Sequence, residues 1–172
     1  MVGLRDEMLA VVDDSNQVIG QASRADVYAR TLAHRIVHVF VFNAQKEVLL
    51  QLRSTHASYL PHYWTTSVGG HVKAGERESD AARRECIEEL GVDIPLTEVF
   101  HCVYHDNEPK KFITVFRGIH NGPFSPRDTG VERVEFFPVP HISLMIKNGE
   151  KVHAELAFLM GNPILISAMD RS

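Results

Sequence analysis

Gly70-His71-Val72-Lys73-Ala74-Gly75-Glu76-Arg77-Glu78-Ser79-Asp80-Ala81-Ala82-Arg83-Arg84-Glu85-Cys86-Ile87-Glu88-Glu89-Leu90-Gly91-Val92 is the segment from which the rest of the chain is understood. Its second half predicts a helix over residues 79–90, in which Ser79 suits the N-cap, Asp80 the first turn and Gly91 the left-handed stop. On a wheel advancing ~100° per residue, Glu88 lies roughly 60° to one side of Glu85 and Glu89 roughly 40° to the other. The three carboxylates therefore share one narrow face, with Ala82, Cys86, Ile87 and Leu90 on the opposite, core-facing arc. Like charges at these spacings repel by a few tenths of a kcal/mol per pair, and Arg84 offsets only part of that. A hard divalent cation offsets all of it, because carboxylate oxygens are the ligands that Mg²⁺ and Mn²⁺ prefer, and Mg²⁺ in turn takes up substrate phosphates. A bare Arg-Glu-x-x-Glu-Glu is explained equally well as a solvated helix end paired with Arg83 and Arg84. The glycines and Glu76 tip the balance: Gly70 and Gly75 fit a loop folding back on the helix, and Glu76 is placed to reach Arg84 or a metal's water shell. A chance match to the seven fixed residue types at one starting point is on the order of one in 10⁸.

Upstream, residues 9–12 and 17–20 flank the turn-formers Asp13-Asp14-Ser15-Asn16 as a short hairpin, and Ser23 caps a brief helix through Ala29. Residues 34–42 and 47–53 form a second hairpin about residues 43–46. Residues 54–63 are a loop, and residues 64–72 are extended but broken by Gly69-Gly70. Downstream come strands near residues 97–105, 111–120 and 131–139, then helices over residues 141–146 and 152–160, the second ended by Pro163. This mixed order predicts an α/β sandwich with a mixed sheet. The 172 residues suit one domain, with the hairpin and short helix over residues 1–30 and the core over residues 31–172.

With a net charge of −4 the chain has no broad basic surface, so nucleic acid is not an expected partner. A small anionic substrate would need a local cation or a metal. Residues 1–16 mix acids with apolar residues and do not read as a signal peptide, and no run approaches the ~18 apolar residues of a membrane span. The two cysteines, Cys86 and Cys102, have no metal-binding spacing and read as reduced thiols of a cytoplasmic protein.

The segment from Gly70 to Val92 resembles the Nudix box, with every single-residue position present; Cys86 stands where an aliphatic residue is usual. The resemblance implies an α/β/α sandwich and a hydrolase that cleaves diphosphates linked to another moiety, using Mg²⁺ or Mn²⁺. It implies that Glu85, Glu88 and Glu89 bind the metal and that the carbonyl of Gly69 or Gly70 adds a backbone ligand. It also implies that Glu85 acts as base or base-orienter and that Arg84 orients the carboxylates. In other members the base is an acid on a later loop, for which Asp106, Glu108, Asp128 and Glu132 are all candidates here.

A wider stretch is similar to type 1 isopentenyl-diphosphate isomerase through His34, Phe42-Asn43-Ala44, Arg53-Ser54 and Trp64-Thr65-Thr66-Ser67-Val68-Gly69-Gly70-His71. That isomerase uses a cysteine, a glutamate and a histidine-rich metal site. Its cysteine falls at Gly69, Val27 replaces one metal histidine while His34 and His71 match two others, and its late tryptophan is absent. The chain thus resembles the isomerase-like hydrolase group; isomerase-like activity and a non-catalytic nucleotide-sensing module are the alternatives.

Other residues have two uses each. Arg53 can grip a phosphate bidentately or sit at the surface. His56, Tyr59, His62, Tyr63 and Trp64 can stack on a substrate ring or pack the loop. His71 and Glu76, at the box, are further substrate-binding candidates. His34 and His38 lie roughly 13 Å apart along a strand and cannot chelate one ion together. Lys110-Lys111 can attract an anionic tail or start a strand in solvent. The apolar helix over residues 152–160 covers the sheet or joins a homodimer.

Overall fold

The computed structural model describes residues 7–170, which hold nine strands and five helices. An N-terminal arm comprises β1 (Met8–Val12), β2 (Val18–Ser23) and α1 (Arg24–Ala29). Then come β3 (His34–Phe42), β4 (Val48–Arg53), β5 (Trp64–Thr65) and β6 (Val68–His71). Helix α2 (Glu78–Glu85) continues into a π-helical turn, Cys86–Leu90. Strands β7 (Thr97–Tyr104), β8 (Lys111–Ile119) and β9 (Val131–Phe137) precede α3 (Val139–Lys147), α4 (Ala154–Met160) and α5 (Pro163–Asp170). Met1–Asp6, part of the stretch read for a leader, lie outside the described residues.

Strand β3 organises the core because it is apolar on both faces, as a strand covered from two sides must be. Ile36, Phe40 and Phe42 point into one cluster, which α3, α4 and α5 close with Ile142, Met145, Leu156, Leu159 and Leu165. Val37, Val39 and Val41 point into the other, closed by Ala81, Ala82, Cys86 and Leu90 of α2 and its π turn. Each fully buried Leu or Phe among them contributes roughly 1.5–3 kcal/mol. β3 runs parallel to β8, from His34 opposite Lys111 to Phe42 opposite Ile119, and antiparallel to β6, β1 and β4. The sheet is mixed and layered between helices, the α/β/α sandwich that the box implied.

Three local readings change. The break in residues 64–72 falls at Thr66-Ser67, where side chains replace the ladder: Thr66 Oγ1 donates to Val68 O (2.9 Å), and Ser67 Oγ accepts the Val41 N–H (2.8 Å). Gly69 and Gly70 instead pair inside β6 with His38 and Val37. The box helix starts at Glu78 with Arg77 as N-cap, so Ser79 lies within its first turn. Pro163 opens α5 rather than closing the helical region: a first-turn proline has no N–H to lose, and Asn162 Oδ1 accepts the Ile164 N–H (2.9 Å).

Gly91 ends the π turn at φ 71° and ψ 20°, as its residue type predicts. The loop before β9 then caps the exposed carbonyls: Ser125 N–H donates to Leu90 O (2.9 Å) and Arg127 N–H to Glu88 O (3.1 Å). The arm packs Val27 against Leu9, Val11 and Ala22, and Ser23 Oγ accepts the Asp26 N–H (3.1 Å) as the expected cap. Ala74 N–H donates to Met8 O (2.9 Å), which seats the arm beside the loop that enters α2.

Candidate active site

The last turn of the box helix winds wider than an α-helix, with the Gly91 N–H reaching back to Cys86 O. Such single π turns concentrate at functional sites. Here the turn joins Glu85, buried, to Glu88, exposed, and Glu89, half-buried, and all three line a cavity of about 1270 Å³. Glu85 folds over Gly70 so closely that a Cβ there would overlap its carboxylate. Arg84 is the hub on this side: Nε donates to Glu76 Oε1 (2.8 Å), Nη2 to Glu76 Oε2 and His71 O (both 3.0 Å), and Nη1 to Glu85 Oε1 (2.6 Å), 3.4 Å from Glu88 Oε2. Glu89 turns the other way, accepting from Gln51 Nε2 (2.7 Å) and the Gly69 N–H (3.1 Å). Burial pushes the Glu85 carboxyl up to about 7, partly opposed by Arg84. Burial, reinforced by the neighbouring Glu85, pushes Glu89 up to about 8.

The cavity floor is a second, fully partnered polar network. His38 Nδ1 pairs with Thr66 Oγ1 (2.7 Å) and Nε2 with Glu155 Oε2 (2.8 Å). Lys111 Nζ donates to Glu155 Oε1 and to Glu108 Oε2 (both 2.6 Å), and Tyr59 Oη donates to Glu108 Oε1 (2.6 Å). His38, Lys111 and Glu155 are all buried. Beside them the arm contributes Tyr28, whose hydroxyl meets His71 Nε2 (3.0 Å), and Arg24. His34 stacks on His71 with centroids 5.4 Å apart. Burial drives His34 down to about 4 and His71 well below its ordinary value, so both rings are neutral beside the Lys111 ammonium. The pair that matches the isomerase's metal histidines is thus bound into an aromatic stack with Tyr28.

Of the residues expected to touch substrate, Arg53 and His71 line the cavity, as do His56 and Tyr59. Trp64 and Glu76 do not: Trp64 packs edge-on against Phe137 (5.0 Å) beneath Arg133, and Glu76 is held by Arg84 and the Lys73 N–H. His62 pairs with Glu132 (3.4 Å) away from the cavity. Of the four later acids, Glu108 is tied to Lys111 and Tyr59, Asp106 and Glu132 do not line the cavity, and Asp128 does, close enough to raise the Glu89 pKa. Sequence reasoning passed over Gln51, Glu155 and His153. Gln51 and Glu155 each interrupt an otherwise apolar run, which is the available signal.

Among the described residues no three His, Cys, Asp or Glu side chains already converge on one point. The chemistry of the donors nonetheless fits a hard cation. Glu85, Glu88, Glu89 and Asp128 offer only carboxylate oxygens, and Mg²⁺ is ordinarily held by one or two carboxylates, waters and substrate phosphates rather than by a closed protein cage. The raised pair has a stability consequence. An unfolded glutamate titrates near 4.5 but folded Glu85 and Glu89 titrate near 7 and 8, so the fold binds protons that the unfolded chain has lost. Buried neutral His34, His71 and His153 act in the opposite sense below about pH 6.5, so without metal the melting temperature should fall between about pH 7 and pH 8, and Mg²⁺ or Mn²⁺ should restore it most at pH 8. A metal response that is flat across this window would count against the site.

No helix among the described residues is long and apolar enough to cross a membrane. Residues 32–159 match the NUDIX domain family. The chain is 37% identical over 108 residues to isopentenyl-diphosphate Delta-isomerase 2 of Photorhabdus laumondii, covering 63% of this chain but only 61% of that protein's length. It is 32% identical over 129 residues to the Nudix hydrolase YfcD of Escherichia coli K12, covering 74% of this chain and 72% of YfcD. The crystal structure of DR0079 from Deinococcus radiodurans superposes with a TM-score of 0.78 at 26% identity, over 90% of this chain and 97% of that one. The matched span carries the glutamate-bearing helix, its π turn and the cavity floor, and the chain belongs to the Nudix hydrolase family.

Proposed function

We propose that the chain is a Mg²⁺-dependent hydrolase that cleaves the diphosphate linkage of a small molecule such as a nucleoside diphosphate derivative. The observation that carries this reading is the Glu85–Glu89 pair, two carboxyls held near neutral pKa by burial, facing a cavity large enough for such a substrate. When bound, the metal supplies neutralisation of the diphosphate and activation of a water. Glu85, which burial makes a stronger base than a free carboxylate, is the residue we assign to take a proton from the attacking water. Arg84 holds the Glu85 carboxylate, and Gln51 with the Gly69 N–H holds Glu89. Asp128 is the further acid we assign to this cluster.

The isomerase-like alternative lacks its catalytic thiol. Gly69 has no side chain, Cys86 lies in the core under α2, and Cys102 packs against the opposite core. Burial, with Glu89 and Glu85 beside it, pushes Cys86 up to about 12, and burial pushes Cys102 up to about 11, so neither thiol is a ready acid or base. The test is a panel of nucleoside di- and triphosphates, nucleotide sugars, coenzyme A and prenyl diphosphates with Mg²⁺ or Mn²⁺. Phosphate or monophosphate release from one class is the expected result. Silence across the panel with tight ligand binding would favour a sensor, and double-bond migration in a prenyl diphosphate an isomerase.

A further inference from the structure

Beyond Gln51 the cavity runs on to Arg53, Tyr59 and His153. Gln51, which holds Glu89, pairs with Thr65 of β5, and the neighbouring Trp64 carbonyl accepts the His153 N–H (2.8 Å), so this end lies one strand away from the acids. His153 is fixed in position and in protonation. Its Nδ1 accepts the Glu155 N–H (3.1 Å) as the cap of α4, which leaves the ring proton on Nε2. Burial drives its pKa down to about 4, so the ring is neutral at physiological pH. Its ring meets Tyr59 edge-on, with centroids 5.9 Å apart. Among the described residues no protein group accepts from Nε2–H.

The surroundings restrict what this donor can meet. His38, Lys111 and Glu155 beneath it are buried and satisfy one another. Tyr59 is 49% exposed and offers a planar group a ring to lie against. Arg53 Nε donates to the Tyr59 carbonyl (2.8 Å), which holds that loop over the cavity. A ring donor beside an exposed aromatic face calls for a planar group that carries an acceptor at its edge.

We propose that His153 is a substrate-binding residue, its Nε2–H donating to a carbonyl oxygen or ring nitrogen on the group attached to the diphosphate, of the kind a nucleobase presents. This rests on the diphosphohydrolase reading and adds the class of group at the far end of that site.

The test compares KM for ADP, CDP, GDP and UDP with KM for inorganic tripolyphosphate, which carries no base, in the wild type and in His153→Asn. Asparagine keeps an oxygen suited to the helix cap and removes the ring donor. The ratio of the two KM values should rise about five- to tenfold for at least one nucleotide, the loss of one neutral hydrogen bond. The ratio is insensitive to how much enzyme is folded. An unchanged ratio overturns the proposal, as does wild-type cleavage confined to prenyl diphosphates. Failure of the wild type to cleave any diphosphate with Mg²⁺ overturns the hydrolase reading itself, and His153 with it.

Discussion

Glu89→Gln should lower Mg²⁺-dependent diphosphate cleavage roughly 10³-fold or more while leaving the protein folded. A metal-bound oxygen contributes several kcal/mol of charge stabilisation in the transition state, and each ~1.4 kcal/mol is a factor of ten in rate. Glutamine has the shape of the protonated carboxyl and keeps an oxygen for the Gly69 N–H, so the local geometry survives. Folding and catalysis should then move in opposite directions. At pH 8 the metal-free variant should melt above the metal-free wild type, because it no longer confines a carboxylate whose pKa is raised by burial and by the Glu85 charge. The same variant should lose most of the metal-induced gain in melting temperature. Wild-type turnover in Glu89→Gln would remove this acid from the mechanism.

The largest loss of stability is expected from Lys111→Met. Burial alone would lower the Lys111 pKa, but Glu155 and Glu108 overturn that and raise it, so the ammonium persists. Burial alone would raise Glu155, but the His38 hydrogen bond and the His38 and Lys111 charges hold it well below the carboxylate range. Removing the cation leaves Glu155 in a buried site with half its partners. Losing one member of a buried pair costs about 3–5 kcal/mol, which for a chain of this size is roughly 6–20 °C in melting temperature. The deficit should shrink progressively as the pH falls below about 4.5, where the wild type begins to lose its ionised-Glu155 advantage and the variant has less to lose. Adding Glu155→Leu should recover part of the loss. If Lys111→Met melted with the wild type, the floor network would have no structural role.

Much of this fold is visible in the chain because its signals are local. The apolar run of β3, the Ser23 cap and the Gly91 stop each depend on residues within a turn or two, and each stands where its chemistry predicts. The box acids are visible for the same reason, since spacing along one helix sets which side chains neighbour one another. Even so, the fold divides them: Glu85 is buried against Gly70 of β6 and Glu88 is exposed, which no periodicity argument anticipates. The floor is invisible for the opposite reason. His38 and Glu155 are 117 residues apart, and Lys111 and Glu155 are 44 apart, so only the folded topology brings them together. Trp64 was singled out for its ring, but packing against Phe137 claims that ring first.

The N-terminal arm supplies Glu7, Met8, Arg24, Tyr28 and Thr31 to the cavity wall, although the family match begins only at residue 32. The acids proposed to bind metal and this part of the cavity wall therefore belong to different parts of the chain. Two enzymes can share an identical glutamate-bearing helix and still admit different molecules, simply by changing an N-terminal arm that carries none of the acids assigned to the metal. Choice of cargo can diverge in the first thirty residues while the cutting apparatus stays as it is.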